Sequence, residues 1–409
     1  MKPTGPIPPD FEQGRLALGG REFADLAEAG TPLFVYDFGI VADRLARLRA
    51  AFPGIDLHYA IKANPFAPLL TAMAPLVDGL DVASAGELAT ALAVKSGTAI
   101  SFAGPGKRDA ELKAAIRAGA TINLESEGEA DRALALAEQS GATPRLAVRV
   151  NPDFELKGSG MRMGGRASPF GVDADRAAAL AKRVVAAGAS WRGWHIFAGS
   201  QTLDTAAIIE AQAATVRLAA RLADAVGSAP PLVNLGGGFG LPYFAGDAPV
   251  DVAAIGDALG DLLAREAIPG TRYALELGRW LVGEGGVYLT RVIDRKESKG
   301  ETFLICDGGL NHQLAATGNL GTVVRRNYPL ALADRIGAAA EETVNVVGPL
   351  CTPLDRLGDR VALPRAEVGD VIAVFLAGAY GRTASPTGFL GHPEPAEILV
   401  GIGARAGRS

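Results

Sequence analysis

Cysteine is nearly absent: only Cys306 and Cys351 stand in 409 residues. Two thiols give no disulfide framework and suit a reducing compartment. Long apolar runs are missing as well. The opening Met1-Lys2-Pro3-Thr4-Gly5-Pro6 has no apolar stretch to act as a signal peptide, and no later stretch reaches the length of a membrane span. The expectation is a soluble, cytoplasmic protein with no membrane partner. Positive charge is not in excess. A formal charge of −5 argues against a nucleic-acid or anionic-membrane surface. Internal repeats and low-complexity tracts are absent. What is plentiful is apolar side chain, 48% of the residues, with 52 glycines and 25 prolines. That is the composition of a well-packed globular chain with many turns. Its length leaves room for two or three domains, or for one barrel with an appendage.

Short apolar strands alternate with alanine-rich amphipathic helices from about residue 56 to 277. Strands are expected at 56–59, 79–82, 100–103, 121–124, 145–150, 191–196, 232–235 and 272–276. Helices are expected at 85–96, 109–118, 127–140, 173–187 and 206–226, with Ser84 as an N-cap and Glu87 at the capping-box position. Eight strands with helices between them is the count of a (β/α)8 TIM barrel. A doubly wound open sheet shows the same alternation, usually with fewer strands. After Gly285 the texture changes to strands with few helices between them, at 287–292, 302–306, 343–347 and 371–375. This predicts an α/β chain: a barrel over 38–277 and a C-terminal, mainly antiparallel β domain over 278–409. An N-terminal segment over 1–37, with a strand at 33–36, is expected to join the β domain. The glycine-rich segment 151–170 reads as a long loop, with Lys157, Arg162 and Arg166 in it.

In such a barrel, functional groups gather where strands end and loops begin. Lys62, in His58-Tyr59-Ala60-Ile61-Lys62-Ala63-Asn64-Pro65, follows the first strand. Its ammonium must reach water or find a partner, because an isolated buried charge is costly. An ordinary strand-end lysine snorkels to solvent. One held in a dry pocket loses basicity and becomes an amine nucleophile that forms Schiff bases. His195 ends the sixth strand, with Gly199-Ser200-Gln201 close behind, and alone it reads equally as a satisfied core histidine. Gly236-Gly237-Gly238-Phe239-Gly240 follows the seventh strand. Glycines there either make a flexible turn or bring backbone N–H groups up to a phosphate. Glu276 ends the eighth strand, with Arg279 just beyond. A strand-end carboxylate is by default solvated or ion-paired, but facing a pyridine nitrogen it keeps that nitrogen protonated.

Together these pieces resemble the PLP-dependent decarboxylases of the alanine-racemase-like fold, which include diaminopimelate, ornithine and arginine decarboxylases. The matching pieces are Tyr59 to Asn64, Asp81-Val82-Ala83-Ser84, His195 to Gln201, Gly236 to Gly240, Glu276-Leu277-Gly278-Arg279, Asp307-Gly308-Gly309, Gly348-Pro349-Leu350-Cys351 and Gly378-Ala379-Tyr380-Gly381, in family order. The resemblance implies that pyridoxal 5'-phosphate is held by Lys62 through a Schiff base, with His195 against its ring and Glu276 on the pyridine nitrogen. Ser200, Gly236, Gly237, Gly238, Arg279 and Tyr380 would serve the phosphate, and Asp81 would belong to the cofactor site. It also implies a homodimer with shared active sites, where the partner supplies Cys351 as proton donor. Thr352, Asp355, Arg279 and Tyr380 would then meet substrate. No metal is implied.

The departures bear on the substrate. Diaminopimelate decarboxylases usually follow the cysteine with Glu-Ser, whereas this chain reads Cys351-Thr352-Pro353-Leu354-Asp355. The places of their substrate-holding arginine and tyrosine fall at Ala315 and Asn319. A site without that arginine loses its bidentate grip on a distal carboxylate. The Cys-Thr-Pro-x-Asp variant resembles two subgroups. One decarboxylates a glutamyl group tethered to an acyl carrier protein, and the other is associated with bacterial exosortase and exopolysaccharide gene clusters. The expected activity is α-decarboxylation of an amino acid or of an aminoacyl group on a carrier protein. The alternatives are a racemase on the same fold and a non-catalytic PLP-binding protein. Racemases place an arginine at the pyridine nitrogen and use a tyrosine base, where this chain has Glu276 and Cys351. Single-barrel PLP homeostasis proteins lack the residues 278–409 that this chain keeps.

Overall fold

The computed structural model describes residues 1–12, 17–18, 21–162, 164–318 and 325–402. The chain divides into two compact units. One comprises Leu45–Gly240 and Val250–Gly278; the other comprises Met1–Arg44, Leu241–Pro249 and Arg279–Ser409.

The first unit is a closed parallel barrel. Its strands run Asp56–Ala60, Gly79–Val82, Ile100–Phe102, Thr121–Leu124, Arg145–Asn151, Ser190–Ile196, Leu232–Gly237 and Arg272–Leu277. Each pairs in parallel with the next, and the eighth closes on the first through Glu276 opposite His58. The eight strands are those expected from the apolar runs, with ends moved by a residue or two. The pleat separates two kinds of side chain. Leu57, Tyr59, Leu80, Val82, Ile122, Leu124, Val148, Val233 and Leu275 are buried apolar alternates that make the layer under the helices. The other alternates, His58, Ser101, Asn123 and Asn234 among them, line the inside of the barrel.

Helix ends follow local chemistry. The Ser84 hydroxyl accepts from Glu87 N at 3.1 Å, and the Glu87 carboxylate accepts from Ala83 N at 2.6 Å. That helix is shorter than expected, Ala85–Leu92, because the chain beyond it winds into turns. The segment 151–170 is not a free loop. Its Met161–Arg162 backbone pairs with Gly199–Ser200, and Asn151 Nδ2 donates to Arg166 O at 3.0 Å and to Asp173 Oδ1 at 2.9 Å.

The second unit is a β domain. Leu33–Asp37 pairs antiparallel with Gly286–Ser298, which also pairs antiparallel with Val371–Val374 and with Glu301–Cys306. Two pairings run parallel, Glu301–Cys306 with Glu342–Val347 and Ala396–Val400 with Leu33–Asp37, so the sheet is mixed within a mainly antiparallel layout. Its core gathers Phe11, Phe23, Val35, Val287, Leu289, Ala373 and Phe375. Phe11 lies 5.8 Å from Phe23 and 5.4 Å from Phe375, centroid to centroid, near the spacing that aromatic pairs prefer.

Candidate active site

The carboxyl ends of the barrel strands carry a connected set of groups. After Ala60 the chain makes one 3-10 turn, Ile61–Ala63, which sets Lys62 at the mouth. The Tyr59 hydroxyl donates to Asn64 O at 2.8 Å and Phe66 N donates to Asn64 Oδ1 at 3.0 Å, so the turn is anchored at its exit. Lys62 is not enclosed by the chain, its side chain being 49% exposed. It meets both demands on a strand-end ammonium, since it reaches solvent and lies 4.0 Å from Glu276 Oε1. Its amine also stands 5.9 Å from the centre of the Phe197 ring.

Glu276 and His195 are both buried, and His195 Nε2 lies 2.8 Å from Glu276 Oε2. An ionised carboxylate only accepts, so this ring nitrogen is the donor. Burial opposes the charge on Glu276. The hydrogen bond and charge of His195, with Lys62 and Arg149 behind them, outweigh burial and hold the carboxyl down at about 2. A carboxylate kept ionised at the bottom of this mouth suits a protonated pyridine nitrogen.

Beside it, the three glycines leave no room for side chains. A Cβ on Gly237 would lie 2.1 Å from Glu276 O, and one on Gly238 would lie 2.4 Å from Gly199 O. Gly236 and Gly238 also hold φ of +70° and +83°, which favours glycine. Thr202 N donates to Gly238 O at 2.9 Å and Gly240 N donates to Thr202 O at 2.8 Å, tying this turn to the segment that carries Ser200. Asp81 is buried on the second strand with its Oδ1 3.4 Å from His58 Nδ1. Burial works against a charged His58, but Asp81, then Asp56 and Glu276, outweigh it and raise the imidazole pKa.

Sequence reasoning missed His58, Glu125, Arg149 and Phe197. Arg149 Nη1 donates to Glu125 Oε1 at 2.8 Å, and the other oxygen of Glu125 accepts from Gly171 N at 2.8 Å. This buried pair anchors the far end of the 151–170 segment. Strand alternation was the available signal, since Glu125, one residue past the strand Thr121–Leu124, and Arg149 both fall on the polar alternates.

Within the β-domain unit, Arg279 Nη1 donates to Tyr243 Oη at 3.0 Å, and the guanidinium stands 4.5 Å from the Tyr380 ring centre and 5.4 Å from that of Tyr243. Burial opposes the Arg279 charge, but Tyr243, Tyr380 and Tyr328 outweigh it and raise its pKa. Tyr380 holds φ of +54°, a conformation costly for a bulky residue and frequent at functional sites. Tyr243 was not anticipated, because it stands among barrel elements in sequence but folds with the other unit. The Cys351 thiol is exposed and Thr352 is half-buried. Asp355, by contrast, is turned inward. Its Oδ1 accepts from Leu310 N at 2.6 Å and its Oδ2 from Leu350 N at 2.8 Å, pinning the Cys351 turn. Ala315 is buried, and Asn319 lies outside the described residues.

The barrel groups fit PLP. An amine, an ionised carboxylate hydrogen-bonded to an imidazole, and a side-chain-free backbone cradle occupy one end of one barrel. Comparison with known proteins agrees. The model of the pyridoxal-dependent decarboxylase family, pyridoxal-binding domain, matches residues 39–283. The L-glutamyl-(BtrI acyl-carrier protein) decarboxylase of Niallia circulans is 38% identical over 90% of this chain and 88% of its own. Diaminopimelate decarboxylase of Methanothermobacter thermautotrophicus is 32% identical over 96% of this chain and 92% of its own. Among solved structures, diaminopimelate decarboxylase from Helicobacter pylori complexed with L-lysine aligns with a TM-score of 0.83 at 26% identity, over 93% of this chain and 94% of that one. Among the described residues, no helix is long and apolar enough to cross a membrane. The chain belongs to the pyridoxal-dependent decarboxylases, and it is a PLP-dependent amino-acid carboxy-lyase.

Proposed function

We propose that this enzyme removes the α-carboxylate of an aminoacyl substrate longer than a free diamino acid, the favoured form being an aminoacyl group carried on an acyl carrier protein. The observation that carries this reading is the altered substrate side: Thr352 follows Cys351 where a carboxylate would read a distal amine, and Ala315 stands in place of an arginine. The likeness to a relative named for a carrier-bound glutamyl substrate supports it.

PLP, when bound, supplies a sink for the electron pair that carbon dioxide leaves behind. Lys62 would hold the cofactor through its amine. Glu276, kept ionised by His195, holds a proton at the pyridine nitrogen. His195 packs against the ring. Gly236, Gly237, Gly238 and Ser200 bind the phosphate through backbone and hydroxyl donors, with Arg279 and Tyr380 serving the same group and Asp81 steadying the wall through His58. Cys351 delivers one proton to the α-carbon, so that a hydrogen replaces the lost carboxylate. Asp355 positions the Cys351 turn, and Thr352 faces the substrate.

The working form is a homodimer in which each subunit supplies Cys351 to the partner's site, a reading supported by the exposed thiol. Two unpaired thiols suit the reducing cytoplasm. The resemblance to the exosortase-associated subgroup supports a role alongside exopolysaccharide production.

The test is mass spectrometry of reactions in heavy water with PLP, on free lysine, ornithine, arginine, diaminopimelate and glutamate, and on aminoacyl groups loaded on a carrier protein. The expected result is loss of carbon dioxide with one deuterium at the former α-carbon, fastest on a carrier-bound substrate. A preference for short free diamino acids sinks the substrate reading. Deuterium uptake without mass loss would identify a racemase.

A further inference from the structure

TIM-barrel interiors are normally filled by layers of branched apolar side chains. The amino-terminal half of this barrel is not. Below the level of His195 lies a cavity of about 380 Å³, within the size range of small-molecule sites. Its rim carries three arginines, Arg145, Arg192 and Arg272, each at the start of a strand.

The two carboxylates on the rim do not balance them. Asp56 pairs with Arg272 at 2.6 Å, whereas Asp78 pairs with Arg49 at 2.7 Å and accepts from Leu57 N at 2.7 Å. Among the described residues, neither Arg145 nor Arg192 forms an ion pair. Arg145 Nη2 donates to Thr98 O at 3.1 Å, but its buried Nε has no partner. Burial first, and then the charge of Arg192, depresses the pKa of Arg145; burial first, and then Arg272, depresses that of Arg192. Like charges lined up in this way favour an anion between them. The roof supplies a second, independent observation. His195 is 3% exposed, and its Nδ1 has no partner although its Nε2 is bonded to Glu276. His195 is opposite Asn234 in register, on the alternates that face the cavity.

We propose that the amino-terminal mouth of the barrel is a second binding site, which takes a small anion bearing carboxylate or phosphate oxygens between Arg145 and Arg192. Planar guanidinium forks match those oxygens in pairs. The exposed Arg272 leaves the site open to solvent. It lies at the opposite end of the barrel from Lys62 and needs no particular reading of the decarboxylated substrate.

The experiment uses PLP-loaded protein, whose phosphate cradle is already filled. Inorganic phosphate, sulfate, malonate and succinate are titrated separately, each against chloride at equal ionic strength, with calorimetry and the unfolding temperature as readouts. At least one of the four should bind saturably and raise Tm in proportion to the logarithm of its concentration. Phosphate or sulfate alone would name an oxyanion source, and malonate or succinate alone a carboxylate source. Arg192→Gln and Arg145→Gln should each weaken binding by about tenfold or more. Arg192→Gln should also keep its PLP content and, with repulsion relieved, match or exceed the wild-type Tm without anion. If chloride reproduces the shift, if none of the four binds, or if both variants bind as tightly as wild type, the proposal is overturned.

Discussion

Glu276 and His58 titrate in opposite senses, and the signs separate their effects on the molecule. The Glu276 carboxyl is depressed from 4.5 to about 2 in the folded chain, so its contribution is present above about pH 4.5 and fades as pH falls towards 2. His58 is raised above 6.5 by Asp81 against the opposing effect of burial. Its contribution is therefore complete below pH 6.5 and is lost as pH rises through the folded value. The stability of His58→Gln should fall below wild type at pH 5.5 to 6 and approach it in alkaline buffer; thermal unfolding across that range reads the difference. A gap that widens with pH would show that His58 is held neutral. Two further substitutions separate cofactor binding from proton delivery. Lys62→Ala should lose the visible absorbance of lysine-bound PLP and hold the cofactor only loosely. Cys351→Ala should keep that absorbance and lose about 100- to 10,000-fold in turnover, the range for a general acid. Full activity in Cys351→Ala would assign the proton to another group.

At the scale of elements, the barrel was legible because strand and helix periods alternate without interruption. Apolar runs such as Leu57 to Ile61 and Arg145 to Val150 marked strands directly, since one face of each packs under helices. The other face was not legible. Polar alternates such as Ser101, Asn123 and Asn234 look like solvated positions until closure turns them inward. The glycine triplet was visible as a motif, but the main chain it packs against is distant in sequence and leaves no local pattern. Gly237 abuts the backbone of Glu276 and Gly238 abuts Gly199, residues about 39 positions apart in each direction along the sequence, counting 237 to 276 and 238 to 199. Gly237→Ala therefore forces a shift of main chain rather than of a flexible side chain. It should cost about 1–3 kcal/mol of stability and weaken PLP binding, read by denaturant unfolding and by titration of apoenzyme with PLP. An unchanged midpoint would mean that the turn relaxes freely. In the same way Asp355, read from its motif as a substrate contact, spends both oxygens on backbone N–H groups.

At the scale of the whole molecule, the proposed homodimer turns on which subunit's site Cys351 would serve. Its thiol is exposed and belongs to the β-domain unit, whereas Lys62 belongs to the barrel unit. If each site takes Lys62 from one subunit and Cys351 from the other, two inactive variants can complement one another. In a two-fold dimer the same surface serves both partners, so a mixed dimer of Lys62→Ala and Cys351→Ala contains one site with both defects and one with neither. Random exchange of equal amounts makes about half the dimers mixed, and about one quarter of all sites then regain wild-type composition. Activity should rise from the level of either variant alone towards one quarter of wild type as subunits exchange. Size exclusion with light scattering should give twice the 42.0 kDa chain mass throughout. If the mixture stays as inactive as its components while the subunits demonstrably exchange, Lys62 and Cys351 of the same chain serve one site.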